Sequence, residues 1–97
     1  MNRPLAGFEW DAGNIAKCLK HGVSLGEIEA LFSAGITVFS DAEHSDTEPR
    51  LKAIGRTAQG RFVFLVYTIR SDRIRPISAR YMHRREVLHY EKETSGI

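Results

Sequence analysis

Nine cationic side chains fall between residues 52 and 85, and six of them are candidates for one site: Lys52, Arg56, Arg61, Arg80, Arg84 and Arg85. A guanidinium presents a planar fork that matches two oxygens of a phosphate, and it stays protonated at ordinary pH. The chemistry open to such a set is the holding of a polyanion, with RNA or DNA first in line. Two further residues are able to move protons nearby. Glu86 follows Arg80 by six residues, and His44 stands among Asp41, Glu43, Asp46 and Glu48. An imidazole titrates near neutrality, and neighbouring carboxylates favour its charged form. Each candidate has a plainer reading. Glu86 is able to pair with Arg80 or Arg84, His44 to be a solvated loop residue, and Lys52 and Arg56 to pair with the acidic segment 41–48.

The charge is divided along the chain. Residues 1–49 carry a formal −5 and residues 50–97 a formal +7, which together give the net +2. A near-neutral total thus conceals a basic half. The alternative is that the two halves neutralise each other in the fold. At 97 residues, with 42% hydrophobic and 27% charged residues, the chain has ordinary globular composition. One domain over residues 1–97 is expected, with its core at about 8–91 and a frayed tail at 94–97. The single cysteine, Cys18, makes no internal disulfide and suits a reducing cytoplasm. It falls on an apolar helix stripe, which suits a buried thiol better than a nucleophile. There is no His/Cys spacing of the zinc type, so no metal and no cofactor is expected. Met1-Asn2-Arg3-Pro4 begins no signal peptide, and the longest apolar run, 62–67, is far too short to span a bilayer.

The elements that must position these residues can be read from periodicity and punctuation. Phe8-Glu9-Trp10 alternates and suits a short strand; Asp11 then caps a helix whose stripe is Ile15, Cys18 and Leu19, ending at Gly22. Ser24-Leu25-Gly26-Glu27 is a capping box, and Val23 with Ile28 forms a hydrophobic staple. The second helix buries Leu25, Ile28 and Phe32 and ends at Gly35. Residues 36–39 are a strand candidate, and 41–49 a polar loop. In the strand 51–56, Lys52, Ile54 and Arg56 share one side. The run 62–67 predicts a central strand, within 61–70, buried on both faces. Ser71-Asp72 occupies a two-residue hairpin turn without the favoured glycine. The strand 73–80 contains Pro76, which predicts a bulge or an unpaired side. A last helix is expected over 82–93, with Val87 and Tyr90 facing inward. Trp10, Tyr67 and Tyr90 are expected in the core, His83 and His89 at the surface, and His21 at the first helix's C-terminus, where its charge suits the dipole. The order is β-α-α-β-β-β-α, an α+β protein with a small, mostly antiparallel sheet and helices packed on it.

A series of residues in this order also resembles a known family. It comprises Phe8-Glu9-Trp10-Asp11, Lys20-His21-Gly22-Val23-Ser24, Asp41-x-Glu43-His44-Ser45, Ala53-Ile54-Gly55-Arg56, Val66-Tyr67-Thr68 and Ile77-Ser78-Ala79-Arg80. Arg84-Arg85-Glu86 and Tyr90 follow. Together they resemble the BrnT-type toxins of bacterial type II toxin–antitoxin pairs. The resemblance implies a RelE-like fold and a metal-independent endoribonuclease that cleaves mRNA and inhibits translation. It also implies a BrnA-type antitoxin that binds the toxin in a hetero-oligomer. Operator DNA would then be contacted only through that antitoxin, and no membrane is involved.

Such a reaction needs a base for the ribose 2′-OH, an acid for the leaving 5′-oxygen, and cations for the charge on phosphorus. Arg80, between a strand and a helix, is the first candidate for the phosphate. Glu86 is a candidate base and His44 a candidate acid. Lys52, Arg56, Arg61, Arg84 and Arg85 are candidates for RNA binding. A non-catalytic RNA- or DNA-binding module, or a regulatory partner protein, would carry the same basic surface.

Overall fold

The computed structural model describes residues 7–40 and 49–95. Two helices, α1 (Ala12–Leu19) and α2 (Leu25–Ala34), precede four strands, β1 (Ile36–Ser40), β2 (Leu51–Arg56), β3 (Phe62–Arg70) and β4 (Arg73–Tyr81). A third helix, α3 (Arg84–Ser95), follows. The strands form one antiparallel sheet in the order β1-β2-β3-β4. The α+β class is as expected, but the order is α-α-β-β-β-β-α. The candidate at 36–39 is a full edge strand, whereas 8–10 is not a strand. Phe8 makes a single parallel bridge to Ile74. It is flanked by hydrogen bonds from the Glu9 amide to the Ile74 carbonyl (2.8 Å) and from the Ile74 amide to the Gly7 carbonyl (2.9 Å). Gly7 turns the chain at φ +111° just before, and Asp11 caps α1 just after, so no length remains for a ladder.

Local chemistry explains the helices. The Asp11 carboxylate accepts from the Asn14 backbone amide (3.1 Å), and the Asn14 side-chain oxygen accepts in return from the Asp11 backbone amide (2.7 Å). This second capping box uses Asn in the place usual for Glu or Gln. The Ser24–Glu27 box forms as read, and Val23 and Ile28 are both fully buried. Gly35 closes α2 at φ +111°, its amide donating to the Leu31 carbonyl at 2.9 Å. The stripe of α1 is shifted from expectation: Cys18 is fully buried, but Leu19 is 46% exposed and Asn14 is buried in its stead. The Asn14 side-chain amide donates to the carbonyls of Glu9 (2.9 Å) and Pro76 (2.8 Å). It thereby ties α1 to the place where Pro76 interrupts β4. Val66 pairs with Ser78 and Tyr67 with Pro76, leaving Ile77 as the extra residue of a bulge.

The core lies between α1, α2 and one sheet face, where Ile28, Leu31, Val63, Leu65 and Ala79 are almost fully buried. β3 is not buried on both faces. Val63, Leu65 and Tyr67 are buried, while Phe62, Phe64 and Val66 are half-buried. The physical reason is that α3 covers the second face only in part. Cross-strand partners place Thr37, Ile54, Phe64 and Arg80 in one row of that face, and Phe39, Lys52, Val66 and Ser78 in the next. Tyr90 of α3 reaches the row at its edge, sharing a 2.9 Å hydrogen bond with the Thr37 hydroxyl. Its ring meets Phe62 edge-on at 5.8 Å.

Candidate functional site

Between α3 and the second sheet face lies an open groove of about 780 Å³. Phe39, Ile54 and Phe64 form its floor, and Arg80, Arg85, Glu86, His89 and Tyr90 are among its walls. Arg80 rises beside its cross-strand partner Phe64, with the guanidinium carbon 5.1 Å from the ring centroid. Its two terminal nitrogens donate to the two carboxylate oxygens of Glu86 at 2.7 and 2.8 Å. Glu86 Oε1 also accepts from the His83 amide at 2.8 Å, so the same carboxylate closes the first turn of α3. The strand fixes one partner and the helix start fixes the other.

The electrostatics follow from this fork. The Arg80 hydrogen bonds, and after them the His83 amide, hold the Glu86 carboxyl down at about 2. The Arg80 guanidinium is raised in turn by Glu86. Both side chains keep 36% of their surface exposed, so the pair sits where a solute from water meets it. A guanidinium has five N–H donors, and Glu86 engages two. The remaining donors, held in a fixed plane, suit an oxyanion. A carboxylate this acidic is a weak base at neutral pH.

The other candidates fall in several places. Arg85 lines the same groove as Arg80. Lys52 is half-buried in the neighbouring row of that face, and Arg56 lies four residues along β2 on the same side. Arg56, Arg61 and Arg84 gather instead around a second recess, of about 390 Å³, which shares Met82 with the groove. His44 and the acidic segment lie outside the described residues, as does any pairing of that segment with Lys52 or Arg56. Trp10 packs on the core and donates its indole N–H to Glu29 at 2.9 Å. Tyr67 is buried against Phe32, and burial pushes its phenol up. Tyr90 departs from expectation by lining the groove, whereas His89 is exposed as expected and stands at the groove's rim. The signal was present: His89 and Tyr90 follow Glu86 at i+3 and i+4, one face of a helix.

The divided charge is partly neutralised across the halves. Arg75 pairs with Glu9 (3.1 Å) and Asp11 (2.9 Å), and Arg70 with Glu9 (3.4 Å). Arg75 thereby holds the Asp11 carboxyl below its usual range. Arg80, in contrast, is paired from within the basic half. Among the described residues no three His, Cys, Asp or Glu side chains come together as a metal-binding group. No described helix is long and apolar enough to cross a membrane.

Compared with known proteins, the chain matches no curated protein. A family model does match, over residues 10–86, and is described as "Ribonuclease toxin, BrnT, of type II toxin-antitoxin system". The matched span runs from Trp10 through both helices and the whole sheet to Glu86, so it includes both members of the Arg80–Glu86 pair. The chain belongs to the BrnT family, the ribonuclease toxins of type II toxin–antitoxin systems.

Proposed function

We propose that the chain is a metal-independent endoribonuclease that cleaves mRNA in the cytoplasm and so inhibits translation. A BrnA-type antitoxin neutralises it in a hetero-oligomer and supplies all contact with operator DNA, on a toxin of RelE-like fold. The observation that carries this reading is the fixed Arg80 guanidinium in an open groove beside a depressed carboxylate. Arg80 clamps the scissile phosphate. As a phosphate oxygen draws Arg80 away, Glu86 loses its main acidifying partner and its pKa rises toward the ordinary carboxylate value. Glu86 then takes the 2′-OH proton while O2′ bonds to phosphorus. The P–O5′ bond breaks, and His44 as imidazolium gives its proton to O5′. The products are a 2′,3′-cyclic phosphate and a 5′-hydroxyl. Lys52, Arg56, Arg61, Arg84 and Arg85 hold flanking phosphates.

The test is cleavage of a defined RNA with EDTA present, by wild type and by Arg80→Ala. Cyclic-phosphate fragments are expected from wild type, with the rate falling about 10²–10³-fold in the variant. Equal cleavage by both would remove Arg80 from the site, and loss of all cleavage on adding EDTA would reject metal independence. The depressed Glu86 favours one alternative, a non-catalytic RNA- or DNA-binding or regulatory module, because the carboxylate that Arg80 holds is then a poor base. Product formation separates the two.

A further inference from the structure

The geometry points to a second RNA subsite: the recess of Arg56, Arg61 and Arg84 holds the nucleotide next to the scissile phosphate. This rests on the reading that Arg80 holds the scissile phosphate. The recess has a volume of about 390 Å³, near the lower end of ligand pockets, which is room for about one nucleotide. Its lining sets three arginines against one carboxylate, Glu91. Two of the three are mounted on rings, Arg56 on Phe62 of the recess itself and Arg61 on Tyr81, which packs on the core and lies outside the recess lining. The Arg56 guanidinium carbon is 5.1 Å from the Phe62 centroid, with Nε donating to the Gly60 carbonyl at 3.2 Å. The Arg61 guanidinium carbon is 3.5 Å from the Tyr81 centroid. Tyr81 in turn donates its hydroxyl to Glu27 at 2.7 Å. Stacked guanidinium planes keep their N–H edges outward and suit phosphate and base faces together, which an acidic peptide does not require.

The placement relative to Arg80 fits one strand of RNA. Phe62, in the recess, precedes Phe64, in the groove, by two residues on the same face of β3. That is about 7 Å along the strand, within reach of a single sugar–phosphate step. Met82 walls both cavities, so the two are adjacent. The scissile phosphate sits at Arg80, and the next phosphate meets Arg56 and Arg84 with its base against Phe62.

The experiment is fluorescence anisotropy with 2′-O-methyl oligonucleotides of two, three and six residues, which lack the attacking hydroxyl. A dinucleotide offers one internal phosphate, and a trinucleotide adds the second. Wild type is expected to gain about tenfold in affinity from two to three residues, as for one charge-assisted contact. The Arg56→Ala/Arg84→Ala double variant is expected to lose that gain, and Arg80→Ala to weaken every length alike. Arg56→Lys/Arg84→Lys, which keeps the charge but not the fork, is expected to fall between, guarding against a folding defect in the alanine pair. Equal affinity of the double alanine variant and wild type at every length overturns the subsite, even where Arg80→Ala still weakens binding. A lost length gain in the double variant with no effect of Arg80→Ala keeps the recess as an RNA site and rejects Arg80 as its neighbour. Unchanged RNA binding with weakened binding of a polyglutamate peptide assigns the recess to an acidic protein partner and overturns the proposal.

Discussion

Arg80 and Glu86 hold each other through two short hydrogen bonds, and Glu86 also caps α3, so one carboxylate serves both charge and fold. Its pKa of about 2, against an ordinary 4.5, gives a signed expectation. A depressed folded-state value contributes stability that is present above the unfolded value and is lost as pH falls through the folded one. The melting temperature of wild type should therefore exceed that of Glu86→Gln most above about pH 5, and the gap should close toward about pH 2. Thermal melts across that range check it, and a gap that stays constant with pH would show that the ion pair contributes no such term. Solvent reaches a third of both side chains, so screening by water and salt keeps the effect modest.

At the scale of elements, the decisive contact is the seat of α2 on β2. Gly55 is buried there, and a methyl at its Cβ position would stand 3.0 Å from Leu31 Cδ2 and 3.1 Å from Ile36 Cγ2. Gly55→Val should overfill this seat and destabilise the fold by about 1–3 kcal/mol in urea unfolding. An unchanged midpoint would mean that α2 does not pack so closely. α3 is attached differently. It meets the sheet through Arg80–Glu86, Tyr90–Thr37 and the Phe62–Tyr90 edge contact, and Leu88 on it is 55% exposed. A helix fastened at a few points leaves a groove beneath it, and that groove is where the candidate chemistry sits.

Across the whole molecule, charge is sorted rather than averaged. Glu9 and Asp11 from the acidic half occupy Arg70 and Arg75, at the end of the sheet away from the groove. The cations assigned to RNA lie around α3 and the opposite end. With Arg80 on the scissile phosphate, Arg56 and Arg84 sharing the next, and Lys52, Arg61 and Arg85 each meeting one more, five phosphates are held, and the logarithm of the RNA affinity should fall against log salt with a slope of about −3.5. A salt titration measures it, and a flat response would remove these residues from RNA binding.

The Asp11 cap, the Ser24–Glu27 capping box, the glycine stops, the bulge at Pro76 and the three longer strands were legible in the sequence, because each is dictated by a few adjacent residues; that Asn14 completes a second box was not. Ser71 and Asp72 do take the left-handed conformations of a tight hairpin, at φ 52° and 63°, without glycine. The family was legible as well, through short motifs in fixed order. What sequence could not decide was long-range. The apolar run of β3 looks the same whether one face or two is covered, and only the partial cover of α3 made Phe62 and Phe64 a groove floor. Asn14 reads as an ordinary helix residue until Pro76, 62 positions away, presents its carbonyl. The pairing of Arg80 with Glu86 rather than with solvent or Arg84 with Glu86 depends on where a strand end meets a helix start. Local propensity acts over a few residues, whereas the site is assembled by packing between elements distant in the chain, and that is why the tertiary structure alone brings it together.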